Sequence, residues 1–135
     1  MVMKREILFR GARVCDGKIV NGSLVMVKEN DDSEKYIPNI VISYGPDTFD
    51  WFEVEQETVG QFTGRYDKSD KEIFERDIVV NKNIHGKKWI VEYRTDSEYV
   101  GFVLKEIGTN GISLFTSWND IEVIGNIYDN KELLK

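Results

Sequence analysis

The chain has 135 residues, with 18 Lys and Arg against 24 Asp and Glu, a net charge of -6 and one cysteine. Such a length fits a single domain, here with two sub-parts, and buries a core without staples. The acidic balance disfavours non-specific nucleic-acid binding, which depends on Lys and Arg neutralising phosphates, and the lone Cys15 excludes an intramolecular disulfide and a cysteine-based metal cage.

The start, Met-Val-Met-Lys-Arg-Glu, lacks the apolar segment of a secretory signal. No apolar run approaches the ~20 residues of a membrane span. With one unpaired thiol, the expectation is a soluble cytoplasmic protein. Ile7-Leu8-Phe9 begins the first strand. Ala12 to Cys15, Asp16-Gly17 and Lys18 to Val20 read as a hairpin, since Asp-Gly suits a type I′ turn. Asn21-Gly22 is a second turn signal, and Leu24 to Val27 a short strand. Glu29 to Glu34 is a solvated acidic loop. Tyr36 to Ser43 is a strand whose Pro38 belongs at an edge or at the strand start. Tyr44 to Asp47 is a turn. Phe49 to Val54 alternates, with Phe49, Trp51 and Glu53 on one face and Asp50, Phe52 and Val54 on the other. An aromatic on each face predicts a strand covered on one side and touching a partner element on the other.

From Asp77 the pattern is strand, turn, strand. Ile78 to Val80 is β-branched and reads as a buried strand. Asn81 to Gly86 is a turn holding His85. Lys88 to Tyr93 is a strand, and Tyr99 to Ile107 another, bent or bulged at Gly101. Gly108 to Gly111 is a hairpin loop and Ile112 to Phe115 a strand. Thr116 to Asp120 looks like one helical turn, and Ile121 to Ile124 the last strand. Asn130 to Leu134 adds a short C-terminal helical turn. The fold class is therefore mainly β. Residues 1–56 form an N-terminal β-region, 57–128 have the strand order of an SH3-like small barrel, and 129–135 are a tail.

Between the two β-rich parts lies Glu57 to Val80. Val59 and Phe62 flank Gly60-Gln61, beside Thr63-Gly64, where glycines permit positive φ or close backbone approach. The polar run Asp67 to Lys71 is too hydrophilic to bury and holds a turn through its own side chains. Asp77 is expected to accept backbone N–H bonds where its strand begins.

These residues resemble the YopX family of phage and prophage proteins. The resemblance rests on Thr-Val-Gly-Gln-Phe-Thr-Gly from Thr58, Asp-Lys-x-x-Lys-Glu-Ile from Asp67, and Glu-x-Asp-Ile-Val from Glu75. A second match is Glu122 to Asn130 followed by Glu132-Leu133-Leu134, and a weaker third is Ile7 to Gly11. The family usually has Gly in place of Asp70 and Arg76, and Pro in place of Lys131. The resemblance implies a full-length member with phage context. It supplies no catalytic residues.

The motif residues Gly60, Thr63, Gly64, Asp67, Glu75, Asp77, Gly125 and Asn126 therefore read as structural. A carboxylate-based, metal-dependent enzyme would use Asp67, Asp70, Glu72 and Asp77, but Lys68, Lys71 and Arg76 alternate with these acids and the spacing is not that of a calcium loop. His85 is the only histidine and sits in a polar turn, and no nucleophile elbow or phosphate loop is present. No cofactor or metal site is expected. Trp51, Phe52 and Trp89 are candidate interface residues, because Tyr and Trp favour subunit contacts. The leading expectation is a non-catalytic module that binds a phage or host protein or itself. Its rival is a nucleic-acid module using Lys82, Lys87, Lys88 and Trp89.

Overall fold

The structure is a computed structural model and describes residues 6–96, 98, 100–114 and 120–135. It is mainly β, with antiparallel strands throughout. Two compact units divide the chain between Phe62 and Thr63, and each is described by itself.

The first unit contains β1 (Phe9–Ala12), β2 (Ile19–Lys28), β3 (Tyr36–Gly45), β4 (Thr48–Glu53) and the first residues of β5 (Gly60–Tyr66). Neighbours run β4-β3-β2-β1-β5. The hairpin joining β1 to β2 has Gly17 at φ 75, and Asp16 Oδ1 accepts the Lys18 N–H at 3.0 Å. Asn21-Gly22 does not turn the chain. It lies inside β2, where Asn21 pairs with Arg10 and Gly22 with Phe9. Gly22 serves close approach instead, because a Cβ there would meet the Val41 carbonyl and the Ile40 side chain. Pro38 is likewise not at an edge: β3 is flanked by β2 and β4. Its missing donor is tolerated because it falls at the end of the β3–β4 ladder, where Val54 N–H still reaches the Pro38 carbonyl at 3.1 Å. Buried apolar residues of this unit are Ala12, Ile40, Val54 and Phe62.

The second unit contains the rest of β5, β6 (Glu72–Phe74), β7 (Asp77–Asn81), β8 (Ile84–Thr95), β9 (Val100–Glu106), β10 (Ile112–Leu114) and β11 (Ile121–Asn126). Five strands follow one another in the order β10-β9-β8-β7-β11. Among the described residues β10 and β11 are the two edges of this sheet, so the sheet is open, and the barrel closure expected from the strand order is not seen. The β7–β8 turn is only Lys82-Asn83, tightened by Asn81 Oδ1 accepting the Asn83 N–H at 2.9 Å. His85 and Gly86 therefore lie within β8 and not in the turn. Gly101, at φ 120, pairs with Arg94 in an unbroken β8–β9 register, so the expected bulge does not form there. Ile73, Val79, Trp89, Val91, Leu104, Ile121 and Val123 make the core. Lys131–Leu134 close the chain as a 3-10 turn. The helical turn expected at Thr116 to Asp120 lies, except for Asp120, outside the described residues, as do Lys4-Arg5, Tyr99 and Trp118.

Candidate functional site

The two stretches that carry the family pattern meet in the second unit. Asp67 is 5% exposed, so the polar run expected to stay out of the interior buries its first residue. Its Oδ1 accepts the N–H groups of Ser69 at 2.8 Å and Lys71 at 2.9 Å. Its Oδ2 accepts the N–H of Val123 on β11 at 3.0 Å. One carboxylate thus closes the turn and ties it to a strand more than fifty residues away. Lys68 N–H to the Ile121 carbonyl, at 2.9 Å, runs alongside, and Lys68 Nζ lies 3.1 Å from Glu122. Burial is the largest single influence on Asp67 and pushes its pKa up. The N–H groups of Val123, Lys71 and Ser69, with the Lys71 charge, together outweigh burial and hold the carboxyl below its ordinary 3.8.

Asp77 is 1% exposed at the start of β7. Its Oδ2 accepts the Phe74 N–H at 2.8 Å, across the Glu75-Arg76 turn. Asp77 also pairs with Asn126 of β11. Asn126 Oδ1 accepts the N–H groups of Tyr128 and Asp129, at 3.0 and 2.9 Å. Asn130 Oδ1 in turn accepts the Asn126 N–H at 3.2 Å, lying directly over Gly125. A Cβ on Gly125 would collide with that amide. Gly125→Ala is expected to lower unfolding free energy by about 1–3 kcal/mol, since the Asn130 amide would have to shift and give up the Asn126 N–H; an unchanged urea midpoint would refute this packing.

Thr63 Oγ1 donates to the Ile73 carbonyl at 2.8 Å, and Gly64 has φ 86. Gly60 is buried and pairs with Arg10. Glu75 is half-buried. Asp70 and Arg76, where family members usually have Gly, are the two non-glycine residues with positive φ among those described, at 62 and 76. Asp tolerates this region through local hydrogen bonds, but Arg has no such relief. The Arg76 turn persists because its N–H reaches the Val91 carbonyl at 2.7 Å and its carbonyl takes the Ile127 N–H at 3.2 Å. Comparing Arg76→Gly with Arg76→Ala removes the same guanidinium and isolates the backbone. The Gly variant is expected to be more stable by about 1 kcal/mol. Equal stabilities would mean the left-handed geometry is not what the turn demands.

These placements separate the carboxylates. Asp67 and Asp77 are interior and engaged with backbone donors, whereas Asp70 is exposed and Glu72 half-buried. Among the described residues no three His, Cys, Asp or Glu side chains converge as a metal site would require. The lysine cluster fares differently. Lys82, His85, Lys87 and Lys88 line a concavity of about 530 Å³ on the β7–β8 hairpin. Lys82 is paired with Asp120 at 3.3 Å and Lys87 with Glu106 at 3.0 Å. Glu106 is held below its ordinary pKa chiefly by the Thr109 hydroxyl and then by Lys87. Trp89 is 6% exposed inside the core. It therefore offers neither a stacking platform nor an interface, contrary to expectation.

Two exposed aromatics lie side by side on β4. Phe49 and Trp51 are 51% and 48% exposed and meet edge to face at 6.1 Å. Phe52, on the other face, is half-buried beneath the Arg13 guanidinium, 4.5 Å from its ring centre. Arg13, Cys15, Trp51 and Phe52 border a hollow of about 270 Å³. Phe49, which was not among the interface candidates, accompanies Trp51 on the exposed face. The period-2 pattern already placed Phe49 and Trp51 on one face; what it lacked was the neighbour order that makes β4 an edge.

A mainly β protein of two units, each built of antiparallel strands, with an engaged carboxylate turn and an open aromatic edge, defines the class. The family model for YopX protein matches residues 8–135, and the chain belongs to the YopX family. It is also similar in fold to the crystal structure of protein EF1440 from Enterococcus faecalis, with a TM-score of 0.54 and 23% identity over 97% of this chain and 99% of that one. Comparison with curated proteins gave no match. Among the described residues no helix is long and apolar enough to cross a membrane.

Proposed function

We propose that the protein is a non-catalytic module that binds another protein or itself, acting in the cytoplasm as an accessory protein of phage or prophage origin. The origin rests on what the family resemblance implies. The binding role rests on one observation: β4 is an edge strand carrying Phe49 and Trp51 on a solvent-facing surface. Exposed edges and clustered aromatics are features that proteins cover with a partner. The structural employment of Asp67 and Asp77 supports the non-catalytic reading, since neither carboxylate is open to a substrate. Nucleic-acid binding keeps one supporting feature, the lysine-lined concavity, but two of its lysines already hold carboxylates.

The test is a photo-crosslinking residue placed at Phe49 and, as a control, at the exposed Tyr66, in cells producing the protein. Adducts to a second chain, of this protein or another, are expected from position 49 and not from position 66. No adduct at position 49, or equal adducts at both, would overturn the reading.

A further inference from the structure

We infer that the free edge of β4 accepts an extended, cationic segment of a partner protein as an added antiparallel strand. This rests on the protein-binding reading above and names the chemistry of the partner. The β3–β4 register pairs Phe52 with Ile40 and Asp50 with Ile42. Val54 N–H bonds the Pro38 carbonyl in the same series. Antiparallel ladders alternate, so Phe52 and Asp50 spend their backbone groups on β3, while Phe49, Trp51 and Glu53 direct theirs outward. The Glu53 carbonyl is taken by the Val14 N–H at 3.0 Å, which seals that end of the strand. The outward groups of Phe49 and Trp51 meet no strand among the described residues. These two residues also carry the exposed rings. Backbone hydrogen bonds and a side-chain platform therefore coincide at the same positions, as strand addition requires.

Charge selects the occupant. From Tyr36 to Gly64 the sequence has no Lys or Arg, while Asp47, Asp50, Glu53, Glu55 and Glu57 all fall within it. Arg13, whose guanidinium lies over the Phe52 ring, is also 3.4 Å from Asp16. A second copy of this chain would bring another acidic edge against the first, so self-pairing is opposed. A strand with Lys or Arg alternating with β-branched residues would place apolar groups on Phe49 and Trp51 and cations on the other face beside Asp50.

The probe is a synthetic capped heptapeptide of alternating Lys and Val, titrated into the full chain and followed by the amide signals of Phe49 and Trp51. Saturable shifts centred there are expected, weakening about tenfold in ~0.5 M salt. A Glu-Val analogue, an N-methylated Lys-Val peptide that cannot pair, and the Trp51→Ala variant should each bind about tenfold more weakly or not at all. The N-methyl control leaves the protein unchanged, so a misfolded variant cannot mimic the result. Equal binding of the Glu-Val peptide, or no shift at Phe49 and Trp51, would overturn the cationic-strand proposal. So would a dimer in light scattering that Trp51→Ala dissolves, but that outcome leaves the protein-binding reading standing. That reading falls only if crosslinking at position 49 is absent or no greater than at position 66.

Discussion

Asp67→Ala should lower the unfolding free energy by about 2–4 kcal/mol, measured by urea denaturation near neutral pH. Three backbone N–H groups lose their acceptor at once, those of Ser69, Lys71 and Val123. Val123 is buried, so its donor has no water to turn to. The other two are partly solvated, which is why the total stays below three full penalties. Asp67→Asn keeps one acceptor oxygen and should fall between the two. The pH dependence follows from the sign of the shift. The folded carboxyl lies below its ordinary 3.8, so the unfolded chain binds the proton more readily. The stabilisation is fully present above pH 3.8 and is lost as pH falls below it through the folded value. Stability of the wild-type protein should therefore drop faster than that of Asp67→Asn in this acid window. Parallel curves would show that the carboxylate charge contributes nothing.

Asp77→Ala should cost about 1–3 kcal/mol by the same measurement, because the buried Phe74 N–H loses the Asp77 Oδ2 acceptor. Asp77→Asn retains an oxygen of the same reach and should cost less. The loss should appear in stability alone, with crosslinking from position 49 preserved in the folded fraction. A variant as stable as the parent would mean that Asp77 does not hold the β6–β7 turn. Loss of crosslinking in a fully folded variant would give Asp77 a binding role.

The local chemistry of the motif was legible because it is encoded by short-range rules. Asp67 and Asp77 behave as turn carboxylates next to the residues they serve, Ser69, Lys71 and Phe74. The strand sequence from Asp77 to Ile124 was legible for a similar reason, since β-branched runs and turn residues alternate along it. Long-range pairing was not. Nothing near Asp67 announces that its second oxygen waits for Val123. Asn21-Gly22 has the composition of a turn, yet the ladder formed with β1 holds it straight. Pro38 read as belonging at an edge or at the strand start; it is third in β3, and that β3 is an inner strand depends on pairing and not on composition. Trp89 looked available for contact because aromatic residues serve cores and interfaces equally well. Only its packing with Ile73, Val91 and Leu104 decides between them. The edge position of β4 is likewise a property of neighbour order, which a period-2 pattern does not contain.

Native-state hydrogen exchange at Ser69, Lys71, Phe74 and Val123 tests most directly whether Asp67 and Asp77 are scaffold. In the wild-type protein at neutral pH these four amides should exchange far more slowly than free peptide. Asp67→Ala should release Ser69, Lys71 and Val123 selectively and leave Phe74 protected. Wild-type amides exchanging at free-peptide rates, or a loss in Asp67→Ala confined to none of the three, would contradict it.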